Sequence, residues 1–354
     1  MASVFLRGFP EAPSFAAPID GAPVRSIRLH VEYRSIMSSL IILLLAGSYL
    51  GWNIGANDAG NCLGTVVGSG MLSYRRAIVI VSVAALAGAA LQGQQVMETI
   101  GTGIVSDQLS VAGVLVALLA AGVFVTVATV LGLPVSTGEA IVGAVAGVGW
   151  AAGLHVNGKT LLTIAEVWVI CPILTGLLAF LIYHVLSRIL GRIQGLLAAD
   201  RFVHGLLLVS SAYVAFTMGA SNAGKAVGPI ANLDIGINER FLPILGGVAI
   251  VIGILSFGRR VANTIGSGIV RLDPLTAGCA QTAAAVAIHT FTLIGIPVST
   301  SQAVVGAVIG VGLVKGMRTV SGRRVGKISL GWVATPTASA LFAFLTYRLV
   351  DLFL

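Results

Sequence analysis

The sequence predicts an all-α polytopic membrane protein, built from two inverted-topology repeats of about five spans each, or roughly 10–12 transmembrane segments. Composition, apolar runs and an internal duplication predict this class. Of 354 residues, 56% are hydrophobic and 10% are charged, whereas soluble domains carry about 25% charged residues. The 45 glycines fit helices that pack closely in lipid. This composition excludes a water-soluble enzyme, a disordered protein and a coiled coil.

Long apolar runs give the elements in order, since a membrane-spanning helix needs about 20 apolar residues. The first half contains runs at 38–56 (with a glycine-rich extension to 70), 77–97, 111–133, 135–150 and 161–187. The second half contains runs at 202–218 (extended to 233), 241–257, 275–295, 298–314 and 328–350. We therefore divide the chain into an arm (1–37), a first repeat (38–190), a cytoplasmic loop (191–201) and a second, inverted repeat (202–354).

Four sequence blocks occur twice. GANDAGNCLGT (55–65) recurs as GASNAGKAVGP (219–229), METIGTGIV (97–105) as ANTIGSGIV (262–270), PVSTGEAIVGAVAGVG (134–149) as PVSTSQAVVGAVIGVG (297–312), and WVICP (168–172) as WVATP (332–336). One register of 163 to 165 residues relates all four. An odd number of spans per half would invert the second repeat, which is the plan of many secondary transporters.

The positions of Lys and Arg support this inversion. If residue 38 enters the membrane from outside, thirteen of these residues fall in predicted inner loops and two, Lys159 and Arg240, in outer loops. Cytoplasmic loops carry such an excess. We therefore predict that both termini lie outside the cytoplasmic membrane, and that the net charge of +8 reflects topology, not nucleic-acid binding.

The N-terminal arm does not fit this orientation. Residues 1–36 contain four arginines and no long apolar run, so they predict neither a span nor a signal peptide. Met37 stands directly before the first span. We expect translation to begin at Met37, and a genuine disordered arm is the alternative.

Charged residues at bilayer depth are functional candidates because burying them is costly. Those in the duplicated motifs are Asp58, Glu139 and Lys225. We predict a helix interruption at Gly55 that frees backbone carbonyls. Asn57 and Asn61 share a helix face at i,i+4, and Asp58 and Asn61 share one at i,i+3. Their carboxylate and amide oxygens, with the free carbonyls, predict a site for a hard cation such as Na⁺.

The two PVST segments predict an anion site. Each starts a new helix, whose N-terminus offers unpaired N–H groups and a positive dipole. Among the hydroxyls, Ser or Thr caps the helix in each segment, and the others are expected to face the anion. The hydroxyl residues are Ser136, Thr137, Ser299 and Thr300. The equivalent positions Glu139 and Gln302 follow; Glu139 either completes a cation site or is an acid stabilised by the helix N-terminus.

Together these motifs resemble the signatures of the inorganic phosphate transporter (PiT) family, from about residue 38 to the end. The resemblance implies Na⁺- or H⁺-coupled phosphate import by alternating access, a homodimer and no cofactor beyond the coupling ion. It implies phosphate binding by Asn57, Ser136, Thr137, Ser221, Asn222, Ser299 and Thr300, and we add Lys225 to this set as a hypothesis explained below. It implies that Asp58, Asn61 and Asn222 belong to the cation site, to which we add Glu139 and Gln302 from their positions in the PVST helices; Na⁺ is expected at Asp58, Asn61 and Glu139.

The second repeat departs from the family pattern, which has an aspartate and an asparagine where this chain has Asn222 and Lys225. Our hypothesis is that the Lys225 ammonium replaces a bound cation or pairs with the oxyanion. The alternative is a lysine that snorkels to the interface. The coupling ion and its stoichiometry stay open.

Other functions are weaker interpretations. Symport of another tetrahedral oxyanion such as sulfate is the nearest alternative, and a channel is a more distant one. We expect no enzyme, because the sequence contains no paired catalytic acids, HExxH motif or nucleophile elbow. The stretch GASNAGKA (219–226) approaches a nucleotide-binding loop, but Ala226 stands where Mg²⁺ needs Ser or Thr.

Overall fold

The computed structural model describes residues 22–68, 73–130, 135–233, 238–265, 272–314, 316 and 322–353. The arm before Ala22 and the first residue of the first PVST segment, Pro134, lie outside these ranges. Within them the chain forms eleven α-helices: α1 (Ala22–Gly68), α2 (Tyr74–Gln92), α3 (Gln94–Glu98), α4 (Val111–Val130), α5 (Thr137–Ala151), α6 (Gly158–Arg192), α7 (Leu196–Ala231), α8 (Leu242–Ile265), α9 (Pro274–Leu293), α10 (Thr300–Val314) and α11 (Gly322–Asp351). The predicted all-α architecture is confirmed.

Six of the helices in the described ranges are long and apolar enough to cross a membrane. They are α1, α2, α4, α6, α7 and α11. Their outer faces are apolar: on α6, Val169 and Ile173 are exposed. Contiguous exposed apolar surface of this kind is unfavourable in water and favourable in lipid. The chain is therefore a multi-pass membrane protein.

The break predicted at Gly55 is wrong, because α1 continues without interruption through the whole GAND-like motif, as α7 does through the second copy. Gly55 instead allows close helix crossing. A Cβ at this position would overlap the backbone carbonyl of Ile250 in α8, and a Cβ at the equivalent Gly219 would overlap that of Ala85 in α2. Three more equivalent pairs approach facing backbone in the same way: Gly88 and Gly253, Gly143 and Gly306, Gly147 and Gly310.

The helices after the PVST segments are short, as the predicted broken helices require. α5 and α10 each contain 15 residues. At about 1.5 Å per residue each is roughly 22 Å long, less than the roughly 30 Å of a bilayer core. α5 packs against α11, and α10 packs against the equivalent α6, so both short helices are held inside the bundle by a long one.

The ends of the first repeat differ from the predicted boundaries. α6 reaches Arg192 and α7 begins at Leu196, so most of the predicted 191–201 loop is helical. Gly195, with φ of 93°, adopts the left-handed conformation that favours glycine directly before α7. At the N-terminal end, α1 begins at Ala22, fifteen residues before Met37, so its helix includes part of the arm.

Candidate functional site

Four motif segments meet in the interior of the bundle. α1 and α7 carry the GAND-like motifs, and α5 and α10 begin at the PVST segments. Eleven of the twelve predicted site residues are buried: Asp58, Asn61, Ser136, Thr137, Glu139, Ser221, Asn222, Lys225, Ser299, Thr300 and Gln302. Buried polar groups are costly unless they are paired, so their hydrogen bonds define the site.

The Asn222 amide links a carboxylate to an ammonium. Its Nδ2 donates to Asp58 Oδ2 at 2.8 Å, and its Oδ1 accepts from Lys225 Nζ at 2.7 Å. Since a carboxylate accepts and an ammonium donates, only this orientation of the amide satisfies both neighbours. Nδ2 also lies 3.4 Å from Thr300 Oγ1. The acid of the first repeat and the lysine of the second therefore belong to one network.

The Lys225 ammonium lies between the two PVST segments. Nζ donates to the Val298 carbonyl at 2.5 Å. Nζ is also 3.2 Å from the point where a side chain at Gly138 would place its Cβ. The lysine is 0% exposed. A snorkelling lysine keeps its ammonium in water, so that interpretation of Lys225 is wrong: the side chain points into the bundle, where oxygen acceptors hold it.

The two asparagines of the first motif have different surroundings. Asn61 Nδ2 lies 3.5 Å from Asp58 Oδ1 and 3.4 Å from Ser301 Oγ, long hydrogen bonds within the site. Asn57 is only half-buried, and its Nδ2 donates to Thr129 Oγ1 of α4 at 3.0 Å. Asn57 is thus the one predicted site residue that lies outside the buried cluster in the described part of the chain.

In each PVST segment the serine caps the helix that follows, which is one of the two capping arrangements expected. Ser136 Oγ accepts from the Glu139 N–H and Ser299 Oγ accepts from the Gln302 N–H, both at 3.3 Å. These serines are the N-caps. The following threonines, Thr137 and Thr300, are both buried, and Thr300 Oγ1 lies 3.4 Å from Asn222 Nδ2.

Glu139 and Gln302 connect the two short helices. Gln302 Nε2 donates to Glu139 Oε1 at 2.7 Å. The other oxygen of each side chain, Glu139 Oε2 and Gln302 Oε1, is buried without a hydrogen-bond partner, and so is Ser221 Oγ. Unpaired buried oxygens are costly, and they are the groups that a bound cation or a hydrogen-bonding oxyanion would satisfy.

Sequence reasoning missed three groups that contact the predicted residues: Gly138, the Val298 carbonyl and Ser301. Gly138 and Ser301 occupy the same position of the two PVST segments. Comparison of the two copies position by position could have identified this pair, since it is one of the few differences within the motif. Nothing in the sequence points to the Val298 carbonyl.

The comparisons with known proteins agree with one another. A family model described as the phosphate transporter family matches residues 54–203 and 196–343. The chain is 29% identical to the chloroplastic inorganic phosphate transporter 2-1 of Arabidopsis thaliana, over 85% of this chain and 70% of the relative. It is also 29% identical to a protein of Methanocaldococcus jannaschii named as a phosphate permease, over 89% and 99%. A solved structure titled the sodium-dependent phosphate transporter superposes with a TM-score of 0.82 at 26% identity, covering 90% of this chain and all of that one.

Proposed function

Because the chain belongs to the phosphate transporter family, we propose that it is a secondary active transporter that imports inorganic phosphate together with a cation, either Na⁺ or H⁺, by alternating access. The observation that carries this proposal is the buried network in which Asn222 joins Asp58 to Lys225 between the starts of two short helices. Such a network provides positive groups for an oxyanion and oxygen ligands for a cation at one place.

The phosphate would bind where the PVST helices begin. Helix N-termini present N–H groups and a positive dipole to anions. Because Ser136 and Ser299 are used as caps, the hydroxyls left for the substrate are those of Thr137 and Thr300. Ser221, whose hydroxyl has no partner, supplies a further donor.

The cation would bind among oxygens of the same core. Asp58 and Glu139 supply carboxylates, and Gln302 has an unpaired amide oxygen beside Glu139. Asn61 adds a further amide, held only by long hydrogen bonds that a bound ion could replace. Hard cations prefer oxygen ligands of this kind. Because Asn57 is only half-buried, it would affect binding indirectly, by positioning α1.

Transport by purified protein in liposomes tests the proposal. Liposomes loaded with K⁺ buffer are diluted into labelled phosphate with an inward Na⁺ gradient, an inward H⁺ gradient, both, or neither. We expect accumulation above the external phosphate concentration with at least one gradient and none without. Phosphate that only equilibrates, with no dependence on either gradient, would indicate a channel and contradict the proposal.

Competition identifies the substrate in the same liposomes. Excess unlabelled phosphate and arsenate should abolish uptake of the label, whereas sulfate and molybdate should compete weakly, because protonated phosphate can donate a hydrogen bond to Asp58 and sulfate cannot. Uptake of labelled sulfate at a rate equal to phosphate would favour the broader oxyanion transporter.

The proposal also includes the setting of the protein. We propose that the second repeat is inverted relative to the first, that both termini lie outside the cytoplasmic membrane, and that the chain forms a homodimer. Helix pairing supports the repeat relation, since α1 packs against α8 as α7 packs against α2. Labelling of cysteines introduced near Lys159 and Arg240 by a membrane-impermeant reagent would test the orientation, with reaction in intact cells expected at both sites.

A further inference from the structure

The two half-sites of the core differ at two positions that contact each other. In one half-site, Asn61 lies 3.4 Å from Ser301. In the other, the positions equivalent to these are Lys225 and Gly138, and the ammonium lies 3.2 Å from the place of the missing Cβ. A longer, charged side chain on one helix thus faces a residue without a side chain on the next. The two differences fit together sterically.

The surroundings of the Lys225 ammonium are those of a bound cation. Its two acceptors, the Asn222 Oδ1 and the Val298 carbonyl, are neutral oxygens of the kind that coordinate Na⁺ in broken or packed helices. The Asp58 carboxylate is linked to the ammonium through Asn222. In the first half-site, the equivalent position is bounded by the Asp58 carboxylate, Asn61 and Ser301. This position has oxygen ligands but no ammonium.

We infer that Lys225 is a covalently attached substitute for one coupling cation, and that Gly138 provides the space for it. This inference rests on the proposed symport function and specifies its stoichiometry. A fixed ammonium stays in the protein throughout the cycle, so it can balance the charge of the bound oxyanion but cannot be released with it. The transporter therefore moves one cation fewer per phosphate than it would with two ion-binding half-sites.

The inference is tested by giving the second half-site the residues found at the equivalent positions of the first. The variant Lys225→Asn/Gly138→Ser restores the Asn–Ser pair seen at Asn61 and Ser301. The charge moved per phosphate is obtained by changing the phosphate gradient at a fixed cation gradient and measuring the membrane potential at which net phosphate flux stops. The shift in this potential depends on the transported charge and not on which cation couples. We expect this charge to increase by about one elementary charge relative to wild type.

Two further variants serve as controls. Lys225→Met removes the ammonium without offering an oxygen ligand, so it should lose most transport without gaining a transported charge. The reciprocal variant Asn61→Lys/Ser301→Gly places a second fixed ammonium in the first half-site and should decrease the transported charge by about one. It also covers the case in which the first variant does not fold.

Unchanged charge per phosphate in a transporting Lys225→Asn/Gly138→Ser variant overturns the inference. If a folded variant does not transport, the cation that drives wild-type uptake is titrated into the purified protein, with calorimetry for Na⁺ or measurement of proton uptake for H⁺. One more bound cation than in wild type supports the inference, and an equal number overturns it. The two proposals can fail separately. Wild-type protein that does not accumulate phosphate contradicts the proposed function, whether or not the variant binds an additional ion.

Discussion

The close crossing of α7 and α2 at Gly219 should be sensitive to a single methyl group. A Cβ at Gly219 would overlap the backbone carbonyl of Ala85. Overpacking of a core costs about 1–3 kcal/mol, and we expect a value near 3 kcal/mol because a backbone carbonyl cannot rotate away as a side chain can. Alanine regains about 1 kcal/mol of helix propensity. Gly219→Ala should therefore decrease the free energy of unfolding by about 2 kcal/mol.

Gly205 provides a matched control on the same helix. A Cβ there would meet nothing within 4 Å, so Gly205→Ala gains helix propensity and should increase stability by up to about 1 kcal/mol. The two variants are compared by denaturant titration of the purified protein in mixed micelles, with helical circular dichroism as the signal. Equal unfolding free energies, or a more stable Gly219→Ala, would refute the proposed crossing. Gly55→Ala, at the equivalent contact, should match Gly219→Ala to within about 1 kcal/mol.

Five further variants test the site through liposome uptake and thermal unfolding. Ser136→Ala removes an N-cap, so we expect a stability loss of about 1 kcal/mol and a phosphate KM within about twofold of wild type. Glu139→Gln should increase the cation concentration for half-maximal uptake at least tenfold, equivalent to about 1.4 kcal/mol. The exchange Glu139→Gln/Gln302→Glu should recover part of that loss, because the carboxylate returns to the contact between α5 and α10. Asn222→Ala should abolish uptake, since it leaves Asp58 and the Lys225 ammonium unlinked. Asn57→Ala, at the edge of the cluster, should retain uptake. Equal effects of the two substitutions would contradict the hydrogen-bond network around Asn222.

The sequence predicted a set of polar residues that, except for Asn57, are buried in the structure, but it did not predict their contacts. Residue type and repetition identified Asp58, Glu139 and Lys225, because charges are rare in apolar helices and each is in a duplicated motif. The environment of Lys225 could not be predicted in this way. A lysine at the end of an apolar run can snorkel or turn inward, and the choice depends on which residues the neighbouring helices bring to it, here Val298 and Gly138.

The helix break expected at Gly55 was wrong for a related reason. Glycine interrupts a helix in some membrane proteins and permits helix contact in others, and local sequence does not distinguish these uses. The distinction comes from the partner helix, since the carbonyl of Ile250 lies where the Cβ would be. The PVST segments were predicted more accurately because a proline followed by Ser and Thr carries its own signal for a helix start.

The formal charges of the buried core bear on the proposed coupling of phosphate to a cation. Asp58, Glu139 and Lys225 sum to −1 when ionised, before any substrate enters. Two like charges about 6 Å apart repel by about 3 kcal/mol at an effective dielectric constant of 20, so an oxyanion that binds alone meets a penalty that one lysine and two helix N-termini only partly offset. A monovalent cation that enters with the phosphate changes the sum to zero and removes this net repulsion. The proposed coupling then follows from the charge of the empty core, since its net negative charge attracts a cation and disfavours phosphate that arrives without one.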